Sequence, residues 1–338
     1  MKAVGYHQAL PIDHPESLLD LQLPAPAPGP RDLLVRVRAV SVNPVDTKVR
    51  RSVPAEPAAA KVLGWDAVGE VRAVGSEVRR FRVGDRVWYA GSLARAGSNA
   101  ELHAVDERIV GLAPRSVDDV TAAALPLTSI TAWELLFDRL GVARGGGHGQ
   151  ALLVMGGAGG VGSALTQIAR QLTGLRVIAT ASRPETRAWC LEMGAHDVVD
   201  HSQPLAAQLQ ALGVAEVDYA ASLTQTDRHF DALVDLLKPQ GKLAVIDDPK
   251  SIDATKLKRK SLALVWESMF TRPVFGTPDM HRQGELLDEV ARLVDAGTLR
   301  STARTVLGPI SVTELKKAHA LIESAGTIGK IVLPGYAD

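Results

Sequence analysis

The stretch Ala151-Leu152-Leu153-Val154-Met155-Gly156-Gly157-Ala158-Gly159-Gly160-Val161-Gly162 decides how this chain folds. Five apolar residues give a buried-strand signal. Gly157, Gly159 and Gly162 then fill a G-x-G-x-x-G frame that encloses Gly160 and Val161, and Ala164, Leu165, Ile168, Ala169 and Leu172 follow at helical spacing. Strand, glycine turn and helix in that order bring backbone N–H groups and a helix dipole up to a dinucleotide pyrophosphate.

Downstream, strand and helix signals alternate. Strands are expected at 176–179, 197–199, 217–220 and 241–246, with helices around 187–193 and 229–237. That alternation calls for a parallel sheet with helices on both faces. Upstream, to about residue 111, short strand signals at 33–40, 68–74 and 85–89 are punctuated by Gly, Pro, Asp and Asn, so this part is mostly β. Helical signals follow at 121–125 and 130–140, and the tail ends in a helix over 312–322 and a strand over 330–333. The fold class is α/β, with a mostly-β part beside a doubly wound parallel sheet. The proline-rich run 24–30 reads as an extended connection between strands.

Composition narrows the function. The chain has 338 residues, enough for two cores, and 38 Lys+Arg balance 38 Asp+Glu. Zero net charge gives no bulk attraction to nucleic acid or to an anionic membrane. The single cysteine, Cys190, excludes an intramolecular disulfide and any site of several thiolates, which suits a reducing compartment. With no apolar leader and no uninterrupted apolar run near 20 residues, a cytosolic protein is expected.

In a dinucleotide fold, an acid at the end of the second strand accepts the 2′-hydroxyl of NAD. Here the segment reads Ile178-Ala179-Thr180-Ala181-Ser182-Arg183-Pro184-Glu185-Thr186-Arg187, and that acid is missing. Ser182, Arg183 and Arg187 stand where a 2′-phosphate would lie, and guanidinium pairs with phosphate in bidentate fashion. NADPH is therefore expected over NADH, with Glu185 opening the next helix.

Five ordered motifs carry a resemblance over essentially the whole chain. They are Asn43-Pro44-Val45-Asp46-Thr47, Gly64-Trp65-Asp66-Ala67-Val68-Gly69-Glu70-Val71, Val83-Gly84-Asp85-Arg86-Val87, the glycine frame, and Gly329-Lys330-Ile331-Val332-Leu333. The chain resembles the medium-chain dehydrogenase/reductase superfamily. Within it, the quinone oxidoreductase branch is the most similar, and the subgroup labelled "zinc-type alcohol dehydrogenase-like" more so. The resemblance implies a GroES-like catalytic domain from residues 1–127 and 271–338, around a Rossmann domain at 128–270, with an active site in the cleft between them.

Zinc members of that superfamily place a cysteine where this chain has Asn43, a histidine at Trp65 and another cysteine near Leu127. None of the three residues here is a zinc ligand type. His196 and His201 flank Asp197 and Asp200, but on a predicted strand and turn, so no metal is expected. No tyrosine has a lysine four residues later, and no G-x-S-x-G elbow occurs. What remains is metal-free hydride transfer to an activated double bond, a quinone or an α,β-unsaturated carbonyl, where positioning and hydrogen-bond donors suffice.

By the same resemblance, Asn43 should lie near nicotinamide and substrate, with Thr131 beside the cofactor. Lys48 replaces a tyrosine of the relatives, and either stabilises an enolate or points into solvent. Asp46 is a general acid or a helix cap at Thr47. Trp65 either walls the substrate site or fills the core. Asp66 is expected in a structural ion pair, and Tyr89 at the substrate. Ser98 and Asn99 replace a more aromatic motif. His201 is expected against the adenosine, Leu223 and Thr224 near the nicotinamide ribose, and Lys330 at a phosphate; an ordinary surface position is the alternative for His201 and Lys330. The basic run 256–260 reads as a solvated loop, and 261–266 as an edge strand that pairs two subunits into a homodimer. An alcohol or aldehyde reductase and a non-catalytic NADPH-binding protein are the competing functions.

Overall fold

The computed structural model describes residues 1–56 and 59–337, which divide into two compact units. Met1–Ile130 with Phe270–Asp338 make the first, and Thr131–Met269 the second.

The second unit is built on six parallel strands. In space they run Asp197–Val199, Arg176–Thr180, Ala151–Met155, Val217–Ser222, Leu237–Val245, Ala263–Trp266, which is 3-2-1-4-5-6 in chain order. That is the doubly wound dinucleotide-binding order, and its direction reverses between the first and fourth strands. Leu153, Ile178, Ala220 and Leu243 are buried along the sheet, and Phe230 and Leu233 pack onto the same core from helix Thr226–Leu236. Helix Gly160–Leu172 turns the Ala164, Leu165, Ile168 and Ala169 stripe inward, as its spacing predicts.

The first unit is mostly β. Its larger sheet runs Ala303–Val306, Lys330–Pro334, Asp32–Val42, Ala67–Val74, Arg86–Tyr89, Val110–Leu112, and Leu102–Asp106 also pairs with Asp32–Val42. The long central strand takes the C-terminal strand antiparallel with Ile331 opposite Val42, so the last strand closes a sheet begun near the N-terminus.

Two boundaries differ from expectation. The basic run is a 3₁₀ segment, Ala254–Lys260, in place of an open loop: Lys256 pairs with Asp231, and Lys260 with Glu216. The stretch Asp119–Arg139 contains an 18-residue window of mean hydropathy 1.4, long and apolar enough to cross a membrane, which the chain's apolar runs did not suggest. Its most apolar window is 78% buried inside the protein, as in a core helix.

Candidate functional site

The glycine turn sits at the carboxyl end of strand Ala151–Met155, where the strand order reverses. Two bonds tie it to the second strand: Gly156 N–H donates to Thr180 Oγ1 at 3.1 Å, and Gly157 N–H to the Thr180 carbonyl at 3.1 Å. Gly157 and Gly162 are glycine for internal reasons. A Cβ at Gly157 would lie 2.7 Å from Ala179 Cβ and 3.0 Å from the buried Cys190 Sγ, and one at Gly162 would lie 2.4 Å from the Gly156 carbonyl oxygen. Gly159 differs, since a Cβ there would meet only the Gly156 oxygen, at 3.5 Å. Among the described residues nothing forbids a side chain at Gly159, so the open side of the turn has room for a ligand.

Around that opening the structure gathers most of the expected cofactor residues. Gly159, Gly160 and Val161 are partly exposed at the start of a 13-residue helix that has no side-chain cap. Leu223 and Thr224 leave the fourth strand, and a Cβ at Gly156 would come within 2.9 Å of Thr224 Cγ2. Ser182 and Arg183 stand exposed after the second strand, and Arg183 pairs with Glu185 at 3.1 Å, both half exposed. Glu185 lies in the first turn of helix Pro184–Glu192, as expected. Arg187 is turned away further, its Nη2 donating to the Val198 carbonyl at 2.9 Å. His201 lies at the end of the third strand with its ring edge-on to His229, 6.0 Å between centroids. Its Nδ1 is buried and finds no hydrogen-bond partner among the described residues. Burial holds His201 below the usual histidine range, so it is neutral at neutral pH. Thr131 is buried in helix Pro126–Trp133. An open helix start, a glycine without an internal cause and an orphaned ring nitrogen suit a dinucleotide.

The first unit holds a separate buried polar cluster. Asp66 accepts from Ser41 Oγ at 2.8 Å, Asn43 Nδ2 at 3.0 Å and the Leu127 N–H at 2.9 Å. Lys330 Nζ lies 3.2 Å from the same carboxylate, donates to the Val42 carbonyl at 3.0 Å, and hydrogen-bonds Asn43 Oδ1. Burial pushes the Asp66 carboxyl up and the Lys330 ammonium down, and their mutual attraction opposes both shifts. The expected ion pair at Asp66 is present, and its partner is Lys330.

This geometry corrects several roles. Lys330 is 3% exposed, and its three donors are spent inside the first unit, so it does not reach a cofactor phosphate. Asn43 is 1% exposed with both ends of its amide bonded to Asp66 and Lys330; it is a structural link, not a free donor for substrate. Asp46 is the third residue of helix Pro44–Ser52, which starts earlier than Thr47, and its carboxylate accepts the Asn43 and Gly64 N–H groups at 2.8 and 3.0 Å. Burial pushes Asp46 up to about 7, against those two bonds. Tyr89 is fully buried, stacked on His103 with its hydroxyl 3.0 Å from Nδ1, and is a core residue where substrate contact was expected. Trp65 is buried, edge-on to Phe270 at 6.3 Å, with Nε1 donating to the Ser92 carbonyl. Lys48 is exposed on its helix. The placement of His103, Ser41 and Cys190 escaped the sequence reading, since nothing local marks them as neighbours of Tyr89, Asp66 and Gly157.

The residues do not fit a catalytic zinc. Asn43 and Trp65 are locked in other bonds, Leu127 offers no side-chain donor, and among the described residues no three His, Cys, Asp or Glu side chains come together.

Comparison with known proteins agrees with the two-part architecture. Residues 29–115 match the alcohol dehydrogenase GroES-like domain, and residues 193–333 match the zinc-binding dehydrogenase family. The chain is 39% identical over 336 residues to the zinc-type alcohol dehydrogenase-like protein of Staphylococcus aureus strain MSSA476, covering 98% of this chain and 99% of that protein. It is 31% identical over 313 residues to a quinone oxidoreductase of Pseudomonas aeruginosa, covering 90% and 92%. A crystal structure from Rhizobium etli CFN 42, provisionally described as a zinc-dependent alcohol dehydrogenase, superposes with TM-score 0.96 at 56% identity over 100% of this chain and 99% of that one. A mycobacterial protein solved with NADPH superposes with TM-score 0.82 at 28% identity over 99% and 100%. The chain belongs to the medium-chain dehydrogenase/reductase superfamily of oxidoreductases.

Proposed function

We propose that this protein is a zinc-independent, NADPH-dependent reductase of quinones or α,β-unsaturated carbonyls, acting as a homodimer. The observation that carries the reading is the state of Asn43: where zinc relatives hold a thiolate, this chain holds an amide bonded at both ends to Asp66 and Lys330. Without a Lewis acid, an alcohol has nothing to lower its pKa. A carbon already made electron-poor by conjugation accepts hydride without one, and the oxygen left behind needs only donors and a proton.

NADPH supplies the hydride when bound. The chain's own residues hold it: Gly157 to Gly162 on the pyrophosphate, Ser182 and Arg183 on the 2′-phosphate, Leu223 and Thr224 along the ribose, His201 towards the adenosine. The quinone oxidoreductase relative and the NADPH-bound mycobacterial structure support the same reading. Strand Ala263–Trp266 supports a dimer, because it is paired on one side only and carries a half-exposed Trp266.

Steady-state oxidation of NADPH with a panel of small quinones, enones and aldehydes tests the proposal. Quinone or enone turnover with a lower KM for NADPH than for NADH is expected. Alcohol-dependent reduction of NADP⁺ without quinone turnover would replace it with an alcohol dehydrogenase.

A further inference from the structure

A groove of about 650 Å³ on the first unit is lined by five arginines, Arg79, Arg80, Arg82, Arg86 and Arg115, against one acid, Asp85. In a chain of zero net charge such a concentration needs a reason. Two of the five are neutralised and fixed: Arg80 Nη2 lies 2.6 Å from Asp288, and Arg86 Nε 2.6 Å from Asp119. The other three are held less firmly. Arg79 is exposed, and its guanidinium donates to the Ser76 and Val78 carbonyls at 3.4 and 3.3 Å. Arg82 is 90% exposed and makes a single long ion pair, Nε to Asp85 Oδ1 at 3.5 Å, open to solvent. Arg115 is exposed; its backbone N–H donates to Asp295, whose charge its guanidinium also feels.

The basic run 256–260 makes the contrast. It draws the eye in the sequence, yet Lys256 and Lys260 are both bonded to acids. The groove arginines, from two segments of the chain, instead converge on one concave surface. Phe81 lies under the Arg80 guanidinium at 5.1 Å, and Leu112 also lines the groove. Its volume falls in the range of small-molecule sites, roughly 300–1,000 Å³. Guanidinium forks match phosphate oxygens in bidentate geometry, and several converging forks favour several phosphates.

We propose that this groove binds a small molecule carrying two or more phosphate groups, gripped by Arg79, Arg82 and Arg115 between walls fixed by Arg80 and Arg86. It is a different place from the glycine turn, which lies in the other unit.

Calorimetric titration of the full-length protein with inorganic tripolyphosphate at low salt, with and without excess NADPH, tests it. Saturable binding at one site, unaffected by NADPH, is expected. Arg79→Gln with Arg115→Gln weakens it by about tenfold or more while the thermal midpoint stays put, since both side chains are exposed. Lys258→Gln with Arg259→Gln leaves binding unchanged. Running ATP beside tripolyphosphate identifies the source of the phosphates: equal affinity assigns an inorganic chain, tighter ATP a nucleotide. No saturable binding, binding displaced by NADPH, binding equal in the double variant, or uptake of an RNA oligomer without tripolyphosphate overturns the proposal.

Discussion

Lys330 and Asp66, from opposite ends of the chain, form a buried ion pair with Nζ 3.2 Å from Oδ2 and each side chain almost wholly out of water. Ser41, Val42, Asn43 and Leu127 supply the other hydrogen bonds of the pair. Removing one member strands the other charge in a low-dielectric site. Lys330→Met is therefore expected to cost about 3–5 kcal/mol in urea unfolding, whereas Lys330→Met with Asp66→Leu costs less than the sum of the two single changes. A loss under about 1 kcal/mol for Lys330→Met would show that the pair contributes no more than an exposed one.

That pair also marks where the sequence stops being legible. The glycine turn, the alternation behind it and the missing acid after Thr180 are local signals, and the Rossmann order follows from them. The placement of Lys330 beside Asn43 depends on Ile331 pairing with Val42 across nearly the whole chain, which no local pattern encodes. A lysine in a short terminal strand reads as surface until that register is known. Tyr89 fails for a related reason: alternation along Arg86–Tyr89 says which face a side chain takes, but not that His103 waits there.

Tyr89→Phe separates a core role from a catalytic one. His103 Nε2 lies 2.9 Å from the Ala96 carbonyl and must donate to it, leaving Nδ1 to accept the Tyr89 hydroxyl. Deleting that hydroxyl leaves a buried acceptor unpaired, at about 1–3 kcal/mol of stability. Turnover with the best quinone or enone should stay within about twofold of the parent, by the same absence of contact with reacting atoms. A much larger fall in kcat at unchanged stability would return Tyr89 to the active site.

Glu267 predicts a pH dependence of stability. Burial first, then the charge of Glu134, pushes its carboxyl from 4.5 up to about 8, against the opposing bond from Arg139 at 2.8 Å. The folded chain then keeps a proton that the unfolded chain releases near 4.5, so stability falls as pH rises from there through about 8. Glu267→Gln keeps the Arg139 bond and cannot ionise. Its unfolding free energy should be flatter across that interval in denaturant melts at stepped pH. Identical slopes for variant and parent would assign the proton elsewhere.

The two glycines of the turn should respond oppositely to one methyl group. A Cβ at Gly162 would lie 2.4 Å from the Gly156 carbonyl and 2.7 Å from Gly157 Cα, both backbone, so Gly162→Ala must move the turn or the helix. It should lower the melting temperature and weaken cofactor binding together. A Cβ at Gly159 meets only an oxygen at 3.5 Å, and its backbone, at φ −73°, suits any residue. Gly159→Ala should therefore melt with the parent while binding NADPH about tenfold more weakly or worse, because the methyl occupies the space of the pyrophosphate. Fluorescence titration with NADPH alongside thermal melts of both variants distinguishes the cases. If Gly159→Ala binds NADPH as tightly as the parent, the open side of the turn is not where the dinucleotide lies.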